Sequence, residues 1–349
     1  MTAGADDAAV LTSVSGGLAR IELNKPRAIN ALSTDMIDAI AAALEEWRGD
    51  DSVSAVLLTG RGERGLCAGG DIKAIHRSLV SGSGEAEEFW RREYRMNHTI
   101  ANYPKPFVAI MDGFTMGGGV GVAAYGSHRI VTETSKVGMP ETGIGLFPDV
   151  GGTWLLARVP LRAGMHLALT GEPVGPADAI RYGLADTFVP QEQLPALFEA
   201  LAADPADVDS VVAGFAVVPP DSQLSPDEEW IAETYDRGTA LETVEALAAH
   251  PSPRAQEAAA LIRTKSPLSV AVTFEMVRTA EDMTLDQVLE RDLAAGLEIG
   301  RHPDLREGIR AQVIDKDRNP QWNPASLEEL DPATVTAVVG AVTDRKVFA

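Results

Sequence analysis

A chain of 349 residues with 45% hydrophobic content is long enough to bury a substantial core and to form one large domain with a smaller one beside it. Its 51 acidic residues against 30 basic ones leave a formal net charge of -21, which argues against a nucleic-acid partner, because displacing counterions from phosphates needs clustered Lys and Arg. A single cysteine, Cys67, excludes an intramolecular disulfide, and histidines without paired spacing or a Cys partner offer no metal motif.

The start, MTAGADDAAV, lacks a basic region followed by an apolar core, and no uninterrupted apolar run reaches membrane-spanning length, so a cytoplasmic protein with no membrane partner is expected. Residues 9–14 and 18–23 flank Ser15-Gly16-Gly17 and predict a hairpin. Ser33 then stands as an N-cap before Met36, Ile37, Ile40, Leu44 and Trp47 at helical spacing, and Ala55–Thr59 reads as a buried strand ending at Gly60. A helix over 85–101 is predicted to stop at Pro104-Lys105-Pro106, before a short buried strand at 107–111. The run GGGVGVAAYG reads as helical, with strands at 128–132 and 136–139 and a helix after Gly152. This alternation is that of an α/β fold. Beyond about residue 191 the pattern turns helical, over 192–203, 227–235, 239–248, 253–263, 267–279, 284–300 and 303–313, with the best linker candidate at 217–222 and Ser225-Pro226.

The most informative stretch is 111–152, where glycines are followed by Glu141 and Asp149 among mostly uncharged neighbours. Glycines let a ligand approach backbone N–H groups that can hold an oxyanion, and a carboxylate in apolar surroundings can serve as base or nucleophile. Taken alone, a glycine triplet can equally be a packing point and Pro-Glu a helix start. The triplet lacks the G-x-G-x-x-G spacing of a dinucleotide loop, and the chain has neither a Gly-Lys-Ser/Thr phosphate loop nor a G-x-S-x-G elbow. Cys67, with no histidine adjacent in sequence, reads as a small buried thiol under its loop. Lys25, Arg27, Lys73 and Arg77 are local basic groups able to meet phosphates, although each could be ordinary solvated surface.

Taken in order, NKPRAINAL (24–32), LCAGGDIKAI (66–75), GFTMGGGVG (113–121) and PETGIGLFPDVGG (140–152) resemble the crotonase, or enoyl-CoA hydratase/isomerase, superfamily. Within it, GIRAQVIDKDRNPQW (308–322) and Arg92-Glu93-Tyr94 resemble the 3-hydroxyisobutyryl-CoA hydrolases. The resemblance implies a spiral of ββα units with a helical C-terminal region, divided as a core over 1–190 carrying the acyl-CoA site and a helical part over 191–349 that covers the site and assists assembly. It implies a homo-oligomer, with trimer or hexamer as the family's forms, and no metal or separate cofactor, CoA being part of the substrate.

Residue by residue, it implies that the amides of Gly70 and Gly118 form the oxyanion hole and that Glu141 and Asp149 are catalytic. Glu93, Ala68, Asp71, Lys25 and Arg27 would contact substrate. Glu93 can also be read as one charge on a solvated helix face among Arg91, Arg92 and Arg95. Hydratases of the family use a second glutamate where this chain has Gly121, so hydrolysis of 3-hydroxyisobutyryl-CoA in valine breakdown is the implied activity, with enoyl-CoA hydration, isomerisation and non-catalytic acyl-CoA binding as alternatives.

Overall fold

A computed structural model describes residues 8–348. Residues 1–7, on which the expectation of no leader rests, and Ala349 lie outside the described residues. The predicted hairpin is present as β1 (Val10–Ser15) and β2 (Leu18–Leu23), with Val10 opposite Leu23. Gly16 and Gly17 turn it at φ of +59° and +93°, a region that glycine enters without a Cβ penalty. The strands that follow are β3 (Ala55–Gly60), β4 (Phe107–Ile110), β5 (Phe114–Met116), β6 (His128–Val131), β7 (Lys136–Gly138) and β8 (Thr187–Phe188). One sheet runs β1-β2-β3-β4-β6-β8, antiparallel at β1/β2 and parallel elsewhere, while β5 and β7 pair separately. The parallel strands β3 and β4 read as unbroken apolar runs because they are buried on both faces.

The chain divides into two compact units. One comprises residues up to Gly70, Arg95–Val137 and Val174–Gln223, and holds the six-stranded sheet. Its core joins Leu18, Leu57, Val108 and Ile130 of the strands to Leu197 and Leu201 of the helix Leu194–Ala203 and Val212 of the helix Val208–Phe215. The helix Thr34–Arg48 buries the expected stripe from Met36 to Trp47, although the Ser33 hydroxyl makes no capping bond.

The other unit comprises Asp71–Tyr94, Gly138–Pro173 and residues from Leu224 on, and is helical. A boundary at 190 is therefore not where the units divide. Residues 191–223 belong with the sheet, because the apolar faces of two helices complete its core, and the change of unit falls after Gln223, inside the expected linker. The helices expected beyond 191 are present, and Val208–Phe215 and Pro332–Val339 add to them. Among the described residues no helix is long and apolar enough to cross a membrane.

Candidate active site

In the sheet-bearing unit, two glycine segments are packed against each other. The Ala68 N–H donates to the Ile29 carbonyl and the Leu32 N–H to the Gly69 carbonyl, both at 2.8 Å, which fixes the loop around Gly70. The Gly70 amide takes part in neither bond. Gly69 turns at φ +105°, and a Cβ there would lie 3.5 Å from the Gly118 nitrogen, so the loop and the start of the helix Gly118–Ala123 are in close approach. Gly119 is needed for the same contact, since its Cβ would fall 2.4 Å from the Cys67 carbonyl oxygen. Gly118 opens the helix, where a backbone N–H has no intrahelical acceptor and is available to a ligand oxygen.

In the helical unit, Pro140 begins a single 3-10 turn over Glu141–Ile144, and Gly145, at φ +82°, ends it. The turn is clamped from outside. A Cβ on Gly145 would meet the Asp304 carbonyl at 2.6 Å, one on Gly308 would meet the Ile144 carbonyl oxygen at 2.3 Å, and the Ser269 hydroxyl donates to the Leu146 carbonyl. Asp149 follows, just before two left-handed residues, Val150 at φ +52° and Gly151 at φ +73°. A β-branched residue there is strained, and such strain persists only where surrounding structure holds it. The Tyr94 hydroxyl donates to Asp149 Oδ2 at 2.7 Å, and the Gly151 N–H donates to Asp292 Oδ2 at 2.9 Å.

Glu93, Glu141 and Asp149 are buried, with relative exposures of 2%, 6% and 6%. Glu93 Oε1 and Glu141 Oε2 are buried atoms without a hydrogen-bond partner among the described residues. Burial pushes Glu93 and Glu141 well above the usual carboxylate range, and the Asp149 charge pushes both further. Asp149 is pushed up only to about 6 by burial, because the Tyr94 hydrogen bond and a backbone N–H favour its ionised form. The unequal surroundings divide the acids. A side-chain hydrogen bond lowers Asp149 against its burial, whereas burial and the Asp149 charge together raise both glutamates.

The model of the enoyl-CoA hydratase/isomerase family matches residues 18–339. The chain belongs to that family. It is 37% identical to the protein named 3-hydroxyisobutyryl-CoA hydrolase, mitochondrial, of Rattus norvegicus, over 93% of this chain and 87% of the relative. It is 36% identical to the Homo sapiens protein of the same name, over 92% and 86%. Among solved structures, it is similar to one described as a carnitinyl-CoA dehydratase from Mycobacterium thermoresistibile, at 47% identity and a TM-score of 0.94 over 98% of both chains. It is also similar to one described as an enoyl-CoA hydratase from Rhodobacter sphaeroides 2.4.1, at 41% identity and a TM-score of 0.90 over 96% of this chain and 98% of that one.

For a member of this family, the structure brings Glu93, Glu141 and Asp149 into one electrostatic field, and the reading of Glu93 as a solvated surface charge is overturned by its burial. Asp71 has a structural task, accepting from the Ala74 N–H at 3.1 Å to cap the helix Ile72–Ser81. Lys25 is half-buried, with its Nζ on the Ala31 carbonyl at 3.3 Å, whereas Arg27, Ala68, Lys73 and Arg77 are exposed. Two residues to which the sequence reading gave no role stand beside the acids: Tyr94 and Asp292. Asp292 had a signal, being an acid on the stripe Val288, Asp292, Ala295, Ile299 whose other members are apolar. Among the described residues no three His, Cys, Asp or Glu are grouped to hold a metal ion.

Proposed function

We propose that the protein hydrolyses the thioester of a short 3-hydroxyacyl-CoA, with 3-hydroxyisobutyryl-CoA as substrate and valine breakdown as the setting. The observation that carries the reading is the Glu141 carboxyl, buried in an acid cluster with Oε2 lacking a hydrogen-bond partner among the described residues. The names of the curated relatives support the substrate. In this reading the Gly70 and Gly118 amides receive the oxygen of the thioester carbonyl as it gains negative charge, each donor contributing about 3 kcal/mol to lowering the barrier. Ionised Glu141 takes a proton from water, the hydroxide adds to the carbonyl carbon, and the tetrahedral oxyanion collapses with cleavage of the C–S bond. The proton held by Glu141 passes to the sulfur, releasing CoA thiol and the free hydroxy acid. Direct attack by Glu141 through a mixed anhydride reaches the same products. Asp149 and Glu93 would hold the substrate hydroxyl.

A second reading, addition of water to an enoyl-CoA, is favoured by the descriptions of the two similar solved structures. Against it stands Gly121, buried in the helix Gly118–Ala123, at the position where the family's hydratases are expected to carry their second glutamate. One experiment separates the two. Purified protein incubated with 3-hydroxyisobutyryl-CoA is expected to release free thiol, and Glu141→Gln to lose at least ~100-fold in kcat, the usual scale for a general base. Hydration of an enoyl-CoA without thiol release would replace the hydrolase reading, and full activity in Glu141→Gln would remove Glu141 from its centre.

A further inference from the structure

Behind Asp149 lies a fourth carboxyl that the proposed chemistry does not use. Asp292, on the helix Leu285–Ile299, is fully buried, at 0% exposure. Its Oδ2 accepts the Gly151 N–H at 2.9 Å, while Oδ1 is buried without a hydrogen-bond partner among the described residues. A buried carboxyl carries a desolvation cost that an apolar side chain at the same helical position would avoid. The one bond it makes among the described residues falls on the left-handed pair Val150-Gly151, immediately after Asp149.

We propose that Asp292 is a positioning residue for the hydrolysis, holding the Val150-Gly151 turn through the Gly151 amide so that the Asp149 carboxylate stays aimed at its hydrogen bond with Tyr94. This rests on the thioester-hydrolase reading for its catalytic consequence, but not for its structural one. Without the Gly151 anchor, the strained Val150 has one hydrogen-bonded restraint fewer, and Asp149 lies next to it in the chain. The anchor acts as a neutral acid. Asp292 faces Asp149 and Tyr94 from other elements and Arg291 on its own helix, and Arg291 is engaged with Thr153 Oγ1 at 3.1 Å and the Met276 carbonyl at 2.9 Å. Burial pushes Asp292 up to about 8, so near neutral pH it adds no second negative charge beside Asp149. The service required is an acceptor oxygen, which an asparagine also offers.

The test uses the full chain, with Asp292→Ala and Asp292→Asn. Their kcat and KM for 3-hydroxyisobutyryl-CoA are measured, together with the titration of the Asp149 carboxyl carbon by NMR of aspartate-labelled protein, assigned by its loss in Asp149→Asn. Asp292→Ala is expected to lower kcat by up to ~100-fold with KM nearly unchanged, the scale of a small misplacement of a catalytic group. It is also expected to move the Asp149 titration. Asp292→Asn is expected to restore most of kcat and a near-native Asp149 titration. Wild-type kcat in a folded Asp292→Ala, or an Asp292→Asn as impaired as the alanine, overturns the proposal. If Asp292→Ala does not fold, Asp292→Asn decides alone. If the wild type releases no thiol, the hydrolase reading fails, and an Asp149 titration indifferent to both substitutions overturns the positioning role.

Discussion

The Tyr94 hydroxyl and the Asp149 carboxylate are joined by a buried 2.7 Å hydrogen bond between residues 55 apart in the chain. Burial raises both groups, and the bond works against that rise at the acid alone, lowering Asp149 while raising Tyr94 further. The phenol is thereby fixed as the donor and the carboxylate as the acceptor over the neutral range.

Tyr94→Phe removes that donor while keeping the ring. Asp149 is then expected to climb above about 6, so that its own titration moves to higher pH. A hydrogen bond to a charged group is worth about 1.5–3 kcal/mol, which corresponds to a displacement of about one to two pH units. NMR titration of the Asp149 carboxyl carbon from pH 5 to pH 9 checks this: a midpoint displaced upward in Tyr94→Phe is the expected outcome, and an unmoved midpoint would show that Tyr94 does not set Asp149.

Stability should fall as pH rises because of these same acids. Glu93, Glu141, Asp149 and Asp292 each have a folded value above the unfolded one. Such a group contributes its full stability below the unfolded value and loses it as pH rises through the folded one. For Asp149, the rise from 3.8 to about 6 corresponds to an upper bound on the order of 3 kcal/mol, lost between those pH values. Asp149→Asn is therefore expected to melt higher than wild type at pH 8 and to show no such advantage at pH 4. Melting temperatures across that range, read without substrate, are the check.

Gly308→Ala should damage the Glu141 turn from a distance. Its Cβ would sit 2.3 Å from the Ile144 carbonyl oxygen and 2.4 Å from the carbonyl carbon, so backbone must move. Overpacking of this kind costs about 1–3 kcal/mol, and here the displaced segment carries Glu141. Lower stability to urea together with reduced kcat is expected. Gly49→Ala, where a Cβ would meet nothing within 4 Å, is the matched control and should change neither.

Much of the fold was legible because its signals are local. The stripe from Met36 to Trp47, the hairpin glycines and the apolar runs of β3 and β4 each fall within one short window. The same holds for Glu141 and Asp149, which one uncharged stretch brings together. What was not legible depends on partners far away in sequence. Glu93 is flanked by arginines, yet it shares the buried face of its helix with Ala86, Phe89, Trp90 and Tyr94, and only that packing shows it is not a surface charge. Asp292 meets Gly151 across 141 positions, and no local pattern names that contact. The helix Ile72–Ser81 was readable but passed over: Asp71 caps its start and Gly82, at φ +69°, its end.

The interleaving of the two units sets an order on synthesis. All the stretches of the sheet-bearing unit have been made once Gln223 is joined, so its core can close while more than a third of the chain is still to be translated. The stretches carrying Glu93, Glu141 and Asp149 emerge equally early, but the residues that clamp and anchor them, Ser269, Asp292, Asp304 and Gly308, come only afterwards. A chain stopped before the last of these holds every stretch of the sheet-bearing unit and all three acids, but not the full set of residues that clamp them.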